Sequence, residues 1–168
     1  MMGMLLDACP SFSPCYGEFL EEWNQNDLCR NAEGGYDLPH YILMSDLARH
    51  LIAMLEAGED DVILRVFGQV ERLLLYADDY SNEVIGIGLL EDLQNLNLYR
   101  ENPGVRPEDF RRFMQPETEH FWNMLYVFWC GKHLPEGIRI GEREQALIDE
   151  ADGGRPLLPD LSVWNKRK

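Results

Sequence analysis

The sequence predicts an all-α fold of antiparallel helical hairpins, packed as a single bundle or a short HEAT-like stack. Three observations predict it. Apolar residues recur at three- and four-residue spacing through most of the chain, which is the helical period. No segment alternates apolar and polar residues over the length of a strand. Proline, glycine and paired acids punctuate the periodic stretches at short intervals, and short connections make successive helices antiparallel neighbours. At 168 residues, 45% of them hydrophobic, the chain has the length of one ordinary domain and can bury a core without disulfide or metal staples. Residues 1–152 are expected as that single helical domain, and 153–168 as a C-terminal tail docked on it.

The elements follow in order. Ser13-Pro14 reads as a helix start, a capping hydroxyl followed by proline in the first turn. Tyr16, Phe19, Leu20 and Trp23 then share one face. Residues 30–37, with Gly34-Gly35, form a loop. Pro39 opens a long helix striped by Tyr41, Met44, Ala48, Leu51 and Leu55, and Gly58 is its natural C-terminal cap. Asp60 and Asp61 begin the next helix, where the positive end of the helix dipole favours acids. Its apolar set, Ile63, Val66, Phe67, Val70, Leu73, Leu74 and Ala77, is the clearest amphipathic pattern in the chain. Asp78 to Ser81 is a turn with Ser81 as the next cap, and a helix through Val84, Ile85, Leu89, Leu93 and Leu96 runs over 82–100. Gly86 and Gly88 inside it each cost about 1 kcal/mol relative to alanine, and close approach of a neighbouring helix is the expected compensation. Asn102-Pro103-Gly104 is a break. Pro107 begins a short helical turn. Pro116 begins a helix with Phe121, Trp122, Leu125, Phe128 and Trp129 on its inner face, and Glu142 to Asp152 is the last helix. No repeat at a fixed period accompanies the hairpins.

Charge separates the partner classes. The formal net charge is −15, and the tail from Gly153 carries +3, so residues 1–152 carry −18. A body this acidic repels nucleic acid and anionic membrane and steers basic partners toward itself. Met1 to Pro10 lacks the basic and long apolar regions of a secretory signal, and no apolar run reaches membrane-spanning length. The expectation is a cytoplasmic protein whose four cysteines, Cys9, Cys15, Cys29 and Cys130, are reduced buried thiols.

Catalytic patterns are absent from the sequence. There is no nucleophile elbow, zinc-protease motif or phosphate loop. Gly86-Ile87-Gly88 lacks the third glycine and the preceding strand of a dinucleotide fingerprint, and reads as helix packing. Glu117 and His120 share a helical face, but di-iron bundles need two such motifs and two further glutamates. His40, His50 and His133 are isolated. Cysteine spacing suits no zinc site. Adjacent acids such as Asp60-Asp61 and Asp78-Asp79 sit where helices start, as dipole partners and caps rather than as a catalytic pair. The expectation is therefore a protein that is not an enzyme and holds no metal or cofactor. Tyr80 differs from the other aromatics. It stands in an acidic turn, as interface anchors do.

The order of several segments carries a resemblance. Cys9-Pro10-Ser11-Phe12 precedes Glu18-Phe19-Leu20-Glu21-Glu22-Trp23. Asp46-Leu47-Ala48-Arg49-His50-Leu51 and Val66-Phe67-Gly68-Gln69-Val70-Glu71-Arg72-Leu73 follow, and then the stretch from Ile85 to Asn95. Over roughly residues 5–130 this resembles a family of small acidic helical bacterial proteins that look like the immunity proteins of polymorphic toxin systems. The resemblance implies a protein that binds and blocks a cognate toxin, and it carries over no catalytic or binding residue. A basic toxin, such as a nuclease, suits the acidic body. The alternative is an acidic helical adaptor, or an inhibitor of another intracellular protein. For either, contacts are expected at helix ends: Glu59, Asp60 and Asp61 at one end of the stack, and Asp78, Asp79, Tyr80 and Glu83 at the other.

Overall fold

A computed structural model describes residues 1–152 of the chain except 25, 35, 36, 132, 135–137 and 139. The expected tail from Gly153 lies outside the described residues. The fold is all-α, with helices packed on one another and no strand among the described residues. It divides into two compact units, Met1–Gln115 and Pro116–Lys168.

The first unit opens with a helix that the sequence pattern missed, α1 (Met2–Ala8), which buries Met2, Leu5 and Ala8. After a 3-10 turn at Pro10–Phe12, α2 (Ser13–Trp23) begins with its proline in the first turn. The expected hydroxyl cap is not made, because Ser13 already lies inside the helix and Phe12 holds the cap position. Helix α3 (His40–Ala57) starts one residue after Pro39 and buries Leu43, Met44, Leu47, Ala48, Leu51, Ile52 and Leu55. It ends where Gly58 takes the left-handed conformation at φ 78°, which glycine adopts without steric cost. Helix α4 (Asp60–Tyr76) follows with the expected acids in its first turn and the expected apolar face buried from Ile63 to Leu74, while Ala77 is instead the extended, half-buried residue after the helix.

The next stretch departs most from expectation. Asp78, not Ser81, caps α5 (Asp79–Glu83). The helix then continues through a π-helical segment, Val84–Leu90, and returns to α-helix in α6 (Glu91–Gln94). At the end of the π segment the Glu91 N–H bonds the Gly86 carbonyl, five residues back. Such wide turns are rare and concentrate at functional sites. The helix stops at Gln94, well before residue 100. Asn95 turns extended, its side chain accepts from the Asn97 N–H, and a 3-10 turn covers Leu96–Tyr99. The buried Tyr99 hydroxyl donates to the Leu93 carbonyl at 2.6 Å and fastens that turn to α6. A further 3-10 turn, Pro107–Phe113, buries Phe110 and Phe113, and both rings lie near that of Phe67 in α4.

The register of α3 against these pieces fixes their direction. Tyr41 bonds Glu83, and Ser45 bonds Asp92. Met44 faces Gly88, and Glu56 accepts from Asn102 and Gly104. Partner numbers rise together, so α3 and the α5–π–α6 run are parallel, and α4 joins them by running back. The close approach expected at the glycines is found at Gly88. A Cβ built there would lie 3.1 Å from both Cβ and Cγ of Met44 and 3.4 Å from the Tyr41 ring.

In the second unit, α7 (Pro116–Cys130) is followed by α8 (Glu142–Asp152). Phe121, Trp122 and Leu125 are buried as expected. Trp129 is instead 62% exposed, and Thr118, His120, Asn123 and Val127 take buried positions. The buried His120 imidazole bonds the buried Glu144 carboxylate through Nδ1. The other Glu144 oxygen accepts from the Gly141 N–H at 2.6 Å, and Arg143 reaches Glu117 at 3.6 Å. The Glu117–His120 pair of the sequence is thus split between two partners, both on α8.

Three variants test this packing. Gly88→Ala should lower stability by about 1–2 kcal/mol, because the added methyl meets the base of the Met44 side chain rather than its flexible end. Gly68→Ala, whose Cβ would sit 3.9 Å from Gln115, should be neutral or mildly stabilising in the same urea titration. Glu144→Ala should strip the acceptor from His120 and Gly141, lowering hydrogen-exchange protection of the α8 amides at least roughly tenfold while α3 and α4 keep theirs.

Candidate functional site

The two acidic clusters lie at opposite ends of α4, about 25 Å apart at helical rise. Their surroundings differ. At the first end, Glu59 holds the cap position of α4, and Asp60 pairs with Arg112 at 2.7 Å. Nearby, Glu56 receives the Asn102 side chain at 2.6 Å and the Gly104 N–H at 3.1 Å. Residues 102–112 thus tie this end down. Asp61 is exposed.

At the second end, Asp78 has a structural task. Its carboxylate accepts the Ser81 N–H and the Ser81 hydroxyl, both at 2.9 Å. Those bonds favour the ionised form and hold its pKa below the ordinary aspartate value. Asn82 donates to the Leu74 carbonyl at 2.8 Å and fixes α5 to the end of α4. Asp79 is exposed in the first turn of α5.

Tyr80 is 46% exposed and Tyr41 38%, and their rings meet at 85° with centroids 6.4 Å apart. The Tyr80 hydroxyl donates to the Leu38 carbonyl at 3.3 Å and lies 3.1 Å from His40 Nδ1. Which partner donates across the Tyr80–His40 contact follows the imidazole tautomer. The His40 ring packs 5.9 Å from that of Tyr80 and 6.3 Å from that of Phe19. Tyr41 donates to Glu83 at 3.3 Å and rests against Gly88, where a side chain would crowd it.

The electrostatics of this corner follow from partial burial. Burial lowers the His40 pKa and so favours the neutral imidazole. Burial raises the Tyr41 pKa, and the Glu83 charge and hydrogen bond raise it further. Tyr80 is raised chiefly by burial; a hydrogen bond from the His40 backbone opposes the rise, and the charge of Asp37 adds to it. Two neutral phenols are therefore held beside ionisable carboxylates on an exposed surface. Further along α3 the Ser45 hydroxyl bonds Asp92, and burial raises the pKa of the neighbouring Glu91.

Of the residues singled out from sequence, Tyr80 and Glu83 come together, each through a residue of α3, and Asp78 stands behind them as a cap. Glu59, Asp60 and Asp61 lie apart from them, at the other end of α4. His40 and Tyr41 were missed as site residues. The one local signal for them was their position at the start of α3, on the side that a parallel neighbour must face. His50, likewise isolated in sequence, lies 2.9 Å from the Ser11 hydroxyl. The four cysteines are free thiols; Cys9 and Cys29 are buried, whereas Cys15 and Cys130 are only partly so. Burial, and then Asp46 and Glu18, push the Cys15 thiol pKa up. No described helix is long and apolar enough to cross a membrane.

Every residue of the corner falls inside one family match. The chain belongs to the family described as Domain of unknown function (DUF7674). The match spans residues 2–130, from α1 to the end of α7, and the family's description names neither an activity nor a partner. No curated protein and no solved structure matches the chain.

The Asp78 cap gives a pH-dependent outcome. Asp78→Ala should cost about 1 kcal/mol at pH 7. Because the folded pKa lies below the unfolded one, that contribution is present above the ordinary aspartate value and is lost as pH falls through the folded value. The stability gap between wild type and variant, measured in urea, should narrow steadily below about pH 4.

Proposed function

We propose that this protein works by binding a basic protein and occluding it, as the immunity partner of a cognate bacterial toxin. The observation that carries the proposal is the anchored aromatic–carboxylate surface at the start of α3 and α5. Tyr41 and Tyr80 are exposed large side chains, and each makes a hydrogen bond, Tyr41 to the Glu83 carboxylate and Tyr80 to the Leu38 carbonyl, both at 3.3 Å. Anchors of this kind lose little conformational freedom on binding, and tyrosine is enriched among residues that dominate interface energy. The surface belongs to a body of strongly negative charge, which speeds encounter with a basic partner and makes it salt-dependent. Occlusion requires no catalytic group on the inhibitor, so the absence of catalytic motifs from the sequence fits this reading. The likeness to polymorphic-toxin immunity proteins supplies the toxin part of the proposal.

The test has two stages. Tagged protein is used to capture partners from source-cell lysate at low and high salt, with mass spectrometry as the readout. The expected outcome is one basic protein, released by salt and encoded beside this gene, whose toxic activity is abolished by stoichiometric addition of this protein. A partner that keeps its activity when bound would favour an adaptor, and a partner that is not basic would overturn the proposal. Asp79→Lys with Glu83→Lys should weaken the captured complex by roughly tenfold or more while leaving the helical signal intact. Unchanged affinity would move the interface away from this corner.

A further inference from the structure

Resting on the proposed binding function, the geometry points to a specific ligand for the corner: we propose that Tyr41, Tyr80 and Glu83 form a half-cage for one cationic side chain, an arginine or lysine, of the partner. The case is geometric. A ring quadrupole attracts a cation within about 6 Å of its centroid, and the edge-to-face pair of Tyr41 and Tyr80 is close enough for one cation in the corner between them to lie within that reach of both rings. The two tyrosine rings stand at 85° with a centroid separation of 6.4 Å. The protein itself holds a guanidinium over a ring at comparable distance, with Arg112 placed 4.8 Å from the Phe113 centroid.

The remaining parts suit the same ligand. Glu83 is already oriented, since it accepts the Tyr41 hydroxyl, and a carboxylate has lone pairs left for a guanidinium or ammonium donor. Tyr41 can lie low against the π-helical segment because position 88 has no side chain. Tyr80 meets the His40 ring and bonds the Leu38 carbonyl through its hydroxyl, contacts that reduce the ordering required on binding. Both phenols favour their neutral form, which leaves ring faces and one carboxylate as the recognition chemistry. The neighbouring imidazole also favours its neutral form and offers no competing charge. Neutral phenols with Glu83 at one ring and the charge of Asp37 near the other suit an organic cation better than a divalent metal, which prefers several converging anionic oxygens.

The test uses N-acetyl-arginine methylamide as the probe, titrated into the full-length protein and followed through the ring and amide resonances of Tyr41 and Tyr80. Its neutral isostere, N-acetyl-citrulline methylamide with matched salt, is the control. Saturable shifts at Tyr41, Tyr80 and Glu83 with the arginine compound alone are expected. Glu83→Gln keeps an acceptor for Tyr41 and should weaken binding, as should Tyr41→Leu, each by roughly two- to fivefold, the size of an exposed cation–π or ion-pair contact. Shifts that spread over the acidic surface without excess at the two rings would overturn the half-cage. Equal response to the citrulline compound, or affinity unchanged in Glu83→Gln, would do the same. A half-cage that binds the probe in a protein that captures no basic partner would retain the site and remove the toxin reading. A basic partner captured without any response of the corner to the probe would do the reverse.

Discussion

How closely α3 and the π-helical segment approach is the constraint on which the rest of the first unit depends. A helix that is apolar nearly all round has to be covered nearly all round. Of Val84–Leu90, only Ile87 keeps an exposed side chain. The cover comes in part from α3, and it comes close because Gly88 lets the Met44 side chain in at its base. Once that contact is made, the parallel register of α3 leaves few choices. Tyr41 must stand beside Glu83, Ser45 beside Asp92, and the end of α3 beside residues 102–104. The local geometry of the candidate site is a consequence of core packing rather than an addition to it.

The same register makes the two ends of α4 unequal. At one end, Asp60 and Glu56 are met by donors from residues 102–112, and the acids serve to hold a long connection in place. At the other, donors are spent behind the surface, on the Asp78 cap and the Tyr80 prop. Tyr41, Tyr80 and Asp79 are exposed there. Exposed ion pairs contribute little to stability, so the first end is of interest mainly for position, whereas exposed anchored aromatics at the second end have a use in recognition.

Helix punctuation was largely legible in the sequence. Pro39, Gly58, Asp60, Pro107 and Pro116 mark boundaries that the structure observes, because caps, prolines and positive-φ glycines act locally. The errors have local reasons too. Asp78 and Ser81 are both good caps three residues apart, and which one serves depends on where α4 stops. The helix expected to reach residue 100 ends at Gln94 because Asn95 bonds its own backbone two residues on, a competitor that helical periodicity does not register. Trp129 continues the apolar face of α7 in pattern but not in burial, since periodicity says which residues share a face, not how far the cover extends. The π segment had one trace, the two glycines, and these predicted close packing without predicting the wider turn. At the candidate site, Tyr80 and Glu83 were visible as an aromatic in an acidic turn. His40 and Tyr41 were not, because their role is set by parallel packing across 40 residues of chain, and hairpin logic speaks only of consecutive helices.

The division of labour between charge and shape completes the proposed function. A strongly acidic body attracts any basic protein, and attraction of that range sets encounter rate more than choice of partner. Choice and residence time depend on a few fixed contacts formed after encounter. A toxin-blocking partner needs both, because it must arrive before the toxin acts and must not be drawn off by the many other basic proteins of a cell. In the proposed role, the corner of α3 and α5 would serve the second need through contacts set by its packing. Tyr41 is seated by Gly88, Tyr80 is braced by His40, and Glu83 is aligned by Tyr41. Loosening any of these would leave the net charge, and hence the attraction, almost unchanged while removing the fixed geometry that discriminates. In the proposed role, specificity would thus be controlled from the core, through packing that the partner does not touch.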